Sequence, residues 1–332
     1  MKITIKDVAR ISGVSVGTVS KVINGKPVSE KIRSKVIETI HELNYKPNQH
    51  ARSLITNKSY TIGLIVTNIT NPFFGEIVSH IKEDLEQKGY NLLLGISRDQ
   101  SSEEKVTIEN FVSRHVDGLI IVPTRDGEHE LEHIYKLRQQ KIPFVFITSQ
   151  YLGIRADCVM SDFTKGSYQL TSHLLDNENK EIYFLTDSKE LLLSSKRIDG
   201  YRMAYMERGI TYKENWIIET LPNFESAYKT TEGIINNQIP DAIMTINDVM
   251  AMGVIKCLKD NGIKVPEDVS VAGYDDLLFS SMFDPPLTTV KQPIEEMCKE
   301  TVDILIKRLQ GYDKEFNVHL YPSELIIRES TK

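Results

Sequence analysis

The chain has 332 residues, is 40% hydrophobic and 26% charged, and carries a formal net charge of −6. That is ample for a large two-lobed body plus a small extra module, and no apolar run approaches the roughly 20 residues needed to span a bilayer. No signal-peptide core follows Met1-Lys2-Ile3-Thr4-Ile5-Lys6-Asp7, so a soluble cytoplasmic protein is expected, with Cys158, Cys257 and Cys298 as free thiols.

Charge is unevenly spread. Through Tyr60, Lys and Arg number 11 against 4 Asp and Glu, so this segment is +7 and residues 61–332 hold −13. A basic head on an acidic body suits a protein that docks one end on nucleic acid.

Three short helices are predicted in the head. The first spans Ile5–Ser12, capped by Thr4 with Asp7 in its first turn, and buries Val8, Ala9 and Ile11. Gly13-Val14 makes a tight turn. Ser15 caps the second helix, Val16 to about Ile23, with Val19, Val22 and Ile23 inward. Asn24-Gly25-Lys26-Pro27 breaks the chain, and Ser29 caps a third helix with Ile32, Val36, Ile40 and Leu43 on one face. This is a helix-turn-helix pattern whose second helix can enter a major groove. Its exposed positions are Val16, Gly17 and Lys21: Val16 fits a thymine methyl, Lys21 a guanine acceptor or phosphate, and Gly17 a close backbone approach. Ser15, Thr18, Ser20 and Asn24 can donate to phosphate oxygens.

Pro47 to about Ser59 reads as a hinge. Gln49–Ile55 is long enough for two helical turns, marginal alone, and so expected to fold on DNA beside a symmetry mate. Arg52 and Lys58 fit a segment lying on DNA.

From Thr61 onward strands alternate with helices. Strands are expected at Ile62–Val66, Asn91–Gly95, Gly118–Val122, Phe144–Ile147, Ile182–Leu185, Ala242–Thr245 and Ser270–Ala272. Helices are expected at Phe74–Gln87, Glu103–Arg114, Thr164–Leu175, Asp199–Glu207, Asp248–Asn261 and Ile294–Gln310. The alternation predicts an α/β body of two doubly wound parallel-sheet lobes, with a ligand cleft at the carboxyl ends of the strands. Asn71-Pro72-Phe73-Phe74 follows the first strand and puts an aromatic where it can stack on a sugar or base.

His129-Glu130-Leu131-Glu132-His133 matches the zinc-protease pattern. Leu131, Ile134 and Leu137 would form the buried stripe, leaving both histidines on the solvated face. Lys136 and Gln139 stand where the extended pattern wants Gly and His. With no phosphate-cradling loop and no nucleophile elbow, neither an enzyme, a metal site nor a cofactor is expected.

Asp7-Val8-Ala9, Gly13-Val14-Ser15, Thr18-Val19-Ser20-Lys21-Val22-Ile23-Asn24, Leu43-Asn44-Tyr45-Lys46-Pro47-Asn48 and Ala51-Arg52-Ser53-Leu54 resemble the lactose/galactose (LacI/GalR) repressor family. The resemblance extends over the whole chain, although the family usually has Arg where Lys21 stands. It implies a helix-turn-helix domain at 1–46, a hinge at 47–60 and an effector-binding, dimerising body at 61–332. That body resembles a type I periplasmic binding protein, with lobes at 61–160 plus 291–321 and 161–290 plus 322–332. It implies DNA contacts from Thr4, Tyr45, Asn48, Ala51 and Arg52, and a minor-groove wedge from Leu54.

For the cleft the resemblance implies effector contacts from Asn71, Phe73, Phe74, Asn247 and Asp275, and from Arg197 within the pattern Arg-x-x-Gly. Ser149 belongs to Thr148-Ser149-Gln150, a neutral stretch where many sugar-responsive members carry Asp. The implied partners are a near-palindromic double-stranded operator, a sugar-like small molecule and a second copy of the chain, with no membrane. No leucine heptads follow Leu325-Ile326-Ile327-Arg328, so a coiled-coil tetramer is not expected. The expected function is a carbohydrate-gene repressor controlled by its effector. The alternatives are a catabolite-control regulator using a protein corepressor, and a transporter's solute-binding protein.

Overall fold

The computed structural model describes residues 3–23, 26–45, 58–124 and 131–332. By its internal contacts the chain divides into Met1–Tyr60 and Thr61–Lys332.

The head is three helices: α1 (Ile5–Ser12), α2 (Val16–Ile23) and α3 (Glu30–Glu42). Their starts follow from local chemistry. The Asp7 carboxylate accepts from the Thr4 N–H at 3.0 Å and the Thr4 hydroxyl at 2.7 Å, and Ser15 Oγ accepts from the Thr18 N–H at 3.1 Å. Gly13 ends α1 at φ 65°, a left-handed conformation that a side chain would strain. The core is Val8, Ala9, Val19, Val22, Val36 and Tyr45.

One inward position differs from expectation. Ile11 is 47% exposed, and Ser12 is fully buried instead, donating to the Val8 carbonyl at 2.6 Å. Ser12 lies four residues after Val8, directly along the buried face, whereas Ile11 falls to its edge.

The body runs β1 (Thr61–Val66), α4 (Pro72–Gln87), β2 (Asn91–Ile96), α5 (Ser101–Ser113), β3 (Gly118–Ile121), α6 (Glu132–Gln139), β4 (Phe144–Ile147), β5 (Asp157–Ser161) and α7 (Phe163–Asp176). It continues β6 (Ile182–Thr186), α8 (Leu192–Glu207), β7 (Ile217–Glu219), α9 (Phe224–Ile235), β8 (Ala242–Thr245), α10 (Asp248–Asp260), β9 (Ser270–Ala272), β10 (Thr289–Lys291), α11 (Ile294–Leu309), β11 (Val318–Tyr321) and β12 (Glu324–Ile326). One sheet has six parallel strands ordered β11-β5-β4-β3-β1-β2, and a second has four ordered β7-β6-β8-β9. The ribbon β10–β12 is antiparallel. Parallel strands buried on both faces explain the near-continuous apolar runs, such as Ile62 to Val66.

Two contacts place the elements that frame the site. Adding a Cβ to Gly200 would bring it to 2.2 Å from the Thr164 carbonyl, so only glycine lets α8 lie this close to α7. The Asp157 carboxylate accepts from Arg308 Nε at 2.7 Å with both side chains largely buried, which ties the returning α11 to β5.

Candidate functional site

On the head, α2 presents two faces. Val19 and Val22 are buried, while Ser15, Val16, Gly17 and Lys21 are exposed and Thr18 and Ser20 half-buried. The outward set is the one the sequence predicts for groove contact. Two residues carry an added burden: Ser15 already accepts the α2 cap, and the Thr4 hydroxyl is spent on Asp7. Tyr45, expected on the DNA face, is only 9% exposed and belongs to the head core, the chain after α3 being turned back by the Tyr45 N–H donating to the Ile40 carbonyl at 3.0 Å. Asn24, Asn48, Ala51, Arg52, Leu54 and the hinge helix Gln49–Ile55 lie outside the described residues.

In the body one cavity of about 210 Å³ gathers all seven expected effector residues, namely Asn71, Phe73, Phe74, Ser149, Arg197, Asn247 and Asp275. They stand just past strand ends or in the first turns of the following helices, where a doubly wound sheet opens. Asn71 caps α4 by accepting from the Phe73 N–H at 3.1 Å, and Asn247 caps α10 by accepting from the Met250 N–H at 2.8 Å. Capping orients both amides, and the Asn247 Nδ2 also donates to the Pro222 carbonyl at 3.5 Å. Phe73 is 6% exposed and mainly core, edge-to-face with the half-buried Phe74 at 5.3 Å.

Arg197 is the unusual group. It is 6% exposed, its guanidinium lies 4.2 Å from the Phe163 ring centre and 4.5 Å from that of Tyr274, and its Nε has no partner. Burial pushes its pKa below the ordinary arginine value, opposed by Tyr274, Asp275 and Asp187. A buried cation between aromatic faces with a donor unspent calls for an acceptor from outside.

Asp275 is held by Gln292, whose Nε2 donates to it at 2.6 Å while its Oε1 accepts from Ser161 at 2.7 Å. This chain crosses from the end of β5 to the segment after β9. Burial pushes the Asp275 carboxyl well above the ordinary carboxylate range, and Asp248 raises it further. Thr148 at φ 69° and Asp275 at φ 115° are both non-glycine residues with left-handed backbones, and both line the cavity. Strain of that kind persists where surroundings enforce a particular geometry.

Several lining residues carry no signal of their own in the sequence: Gln292, Asp187, Phe163 and the run Leu191-Leu192-Leu193. Tyr151 and Thr124 also line it, backed by a buried network in which Tyr151 Oη donates to Glu104 at 2.9 Å and His133 Nε2 pairs with Glu104 at 2.7 Å. This corrects the expected solvated His133, which is 3% exposed. The helix begins only at Glu132, after Leu131, and a fully buried carboxylate from α5 gives the imidazole a partner inside. His129 lies outside the described residues.

The sequence matches the description "Bacterial regulatory proteins, lacI family" over residues 4–48 and "Periplasmic binding protein-like domain" over residues 171–331. It is 36% identical over 331 residues to the HTH-type transcriptional repressor PurR of Vibrio parahaemolyticus, covering 99% of this chain and 98% of that one. It is 32% identical over 332 residues to the HTH-type transcriptional regulator DegA of Bacillus subtilis, covering 100% and 98%. Among solved structures, a lac repressor dimer bound to operator and the anti-inducer ONPF superposes with a TM-score of 0.85 at 27% identity, covering 100% of this chain and 99% of that one. The complex of the transcriptional regulator CelR with cellobiose gives 0.75 at 28% identity, covering 99% of each.

Proposed function

The chain belongs to the lacI family of bacterial regulatory proteins, and from that premise we propose that it represses carbohydrate-uptake or catabolic genes under control of a small sugar-like effector held in the body's cavity. It is a DNA-binding transcriptional regulator. The observation that carries the effector reading is Arg197, a buried guanidinium with an unspent donor in a cavity whose polar rim is already oriented by helix caps. A transporter's solute-binding protein would have no use for the head, which the full-length relatives share.

In this reading two copies pair, each placing α2 in one half-site of a near-palindrome, with Val16 and Lys21 on base edges and Ser15, Thr18, Ser20 and Asn24 on phosphates. The hinge residues Asn48, Ala51, Arg52 and Leu54 order on the DNA. The body acts as two lobes, 61–160 with 291–321 and 161–290 with 322–332, which the effector draws together. That closure disfavours the DNA-ordered hinge, and a coupling of roughly 1–3 kcal/mol changes operator affinity about 5- to 150-fold.

The test is to select the operator from genomic fragments, then follow binding of a labelled duplex by fluorescence anisotropy with and without effector. Arg197→Ala should hold operator affinity within about twofold and lose the effector response. If Arg197→Ala responds at the effector concentration that works on the wild type, the cavity is not the control site.

A further inference from the structure

A second cavity, of about 640 Å³, backs onto the first, and Asp275 and Gln292 line both. Its walls come from elements of both parallel sheets. Glu76 and His80 stand on α4, which follows β1 of the six-stranded sheet, and Asp276 follows β9 of the four-stranded one. The connections β10–α11 and β11–β12 complete it.

Its charge is one-sided. Arg328 holds Asp276 at 2.7 Å, but among the described residues Glu76, Glu295, Glu296 and Glu324 have no ion-pair partner. His80 and Lys291 offset them in part, acting on Glu76 from a distance. Burial pushes the half-buried Glu76 carboxyl above its ordinary pKa, and the charge of Asp276 raises it further. Carboxylates gathered in this way are stabilised by any cation that enters among them.

Ser323 points to the same kind of occupant. It is 6% exposed and lines the cavity, and its Oγ has no hydrogen-bond partner; the nearby Tyr274 hydroxyl is orphaned too. A buried hydroxyl oxygen left unspent can accept from an ammonium, which carries donors and no acceptor. Spacing then separates a metal ion from an extended cation. Among the described residues no three acidic, histidine or cysteine side chains converge closely enough to hold a metal. The carboxylates are interspersed instead with Pro293, Ile294, Tyr321 and Pro322. Such faces suit methylene chains, and the Tyr321 ring also suits an ammonium above it.

We propose that this cavity binds a linear polyamine, its ammonium groups meeting Glu76, Glu324 and Ser323 and its methylenes lying on Tyr321 and Pro322. The site is distinct from the effector cavity but shares the wall of Asp275 and Gln292 with it.

Calorimetric titration of the full chain in about 0.15 M salt tests this, with spermidine, putrescine, magnesium and trilysine as probes. Spermidine should bind saturably at one site per chain, about tenfold or more tighter than putrescine and tighter than magnesium or trilysine. Glu76→Gln and Glu324→Gln should each weaken spermidine about threefold or more, and Ser323→Ala likewise. Glu267→Gln, on the exposed surface outside the cavity, should leave the affinity unchanged. Glu324 is exposed, so its variant keeps the test readable even if Ser323→Ala folds poorly. An equal loss in Glu267→Gln means diffuse attraction to the acidic body and overturns the inference. Trilysine or magnesium as the tightest ligand overturns it too, as does the absence of saturable spermidine binding.

Discussion

The face of the head proposed to meet DNA is built from neighbours, with Ser15, Val16, Gly17, Thr18, Ser20 and Lys21 within about two turns of one helix, whereas the cavity draws side chains from Thr67 to Gln292. The materials differ as much as the spans. The head core is aliphatic apart from Tyr45 and the self-satisfied Ser12 and Thr39, while the body buries Glu104, Asp157, Arg197, Asp248 and Asp275. Local construction makes a reader whose fold and contacts share the same few atoms. Long-range construction makes a chamber whose buried charges are each positioned by a partner far away in sequence.

The strongest way to break this comparison is to destroy the head and ask whether the body notices. Val36→Asp puts a carboxylate into a core of six side chains, at a cost of more than about 3 kcal/mol, which so small a unit cannot absorb. Operator binding should vanish, while calorimetry shows the body's melting transition unmoved. A fall in the body's melting temperature would show that the two units do not fold independently.

The converse experiment is Arg308→Met, which leaves the buried Asp157 carboxylate without its cation and with only the Asn317 N–H as donor. Removing one member of a buried ion pair costs about 3–5 kcal/mol. For a unit of this size that lowers the melting temperature by roughly 6–15 °C. The head should still bind DNA at low temperature.

These two variants also mark what the sequence reveals. The starts of α1 and α2 are legible because each carries its own cap and Gly13 its own stop, whereas Ser29, expected to cap α3, stands at its N-cap without a side-chain hydrogen bond. Strands Phe144–Ile147, Ala242–Thr245 and Ser270–Ala272 likewise stand where apolar runs place them. Strand Asp157–Ser161 is not legible, since its polar ends are burial sites for partners at Arg308 and Gln292. The ribbon of Thr289–Lys291 and Glu324–Ile326, and helix Phe224–Ile235, are too short or too mixed to declare themselves. Helix α8 starts at Leu192 rather than Asp199 because its first turn is apolar for the cavity's sake, not for a periodic core face. Of the cavity, the family motifs locate Arg197, Asn247 and Asp275, whereas Gln292 and Asp187 become visible only when strand ends converge. His133 misleads for the same reason: its partner lies on another helix.

A pH titration sharpens the contrast, because the head core holds no buried carboxylate and the body does. Burial pushes Asp248 up to about 6 even though Leu277 N–H, Ser280 and Thr289 all donate to it. A carboxyl whose folded pKa is raised stabilises the fold at low pH, and that contribution fades as pH climbs through about 6. It amounts to roughly 3 kcal/mol between the limits. Asp275 acts in the same direction. The body's stability, taken from urea midpoints, should therefore drop as pH rises from about 4 to about 6, and Asp248→Asn should flatten the drop.

The smallest effect separates folding from reading within one atom of the head. Ser15 Oγ caps α2 through the Thr18 N–H and is also the group expected at a phosphate. Ser15→Ala should cost about 1 kcal/mol of head stability, read as a lower melting temperature of the head. Ser15→Asp keeps a cap and suits the helix dipole, so stability should hold, yet it sets a negative charge against the DNA backbone. Operator affinity should then fall further for Ser15→Asp than for Ser15→Ala, and more steeply at low salt. Equal losses in the two variants would mean that Ser15 only caps. In the body no such conflict arises at Asp157 or Arg308, which hold the sheet together outside the cavity. A chain that packs its reader into one helix accepts that folding and recognition there are tuned together.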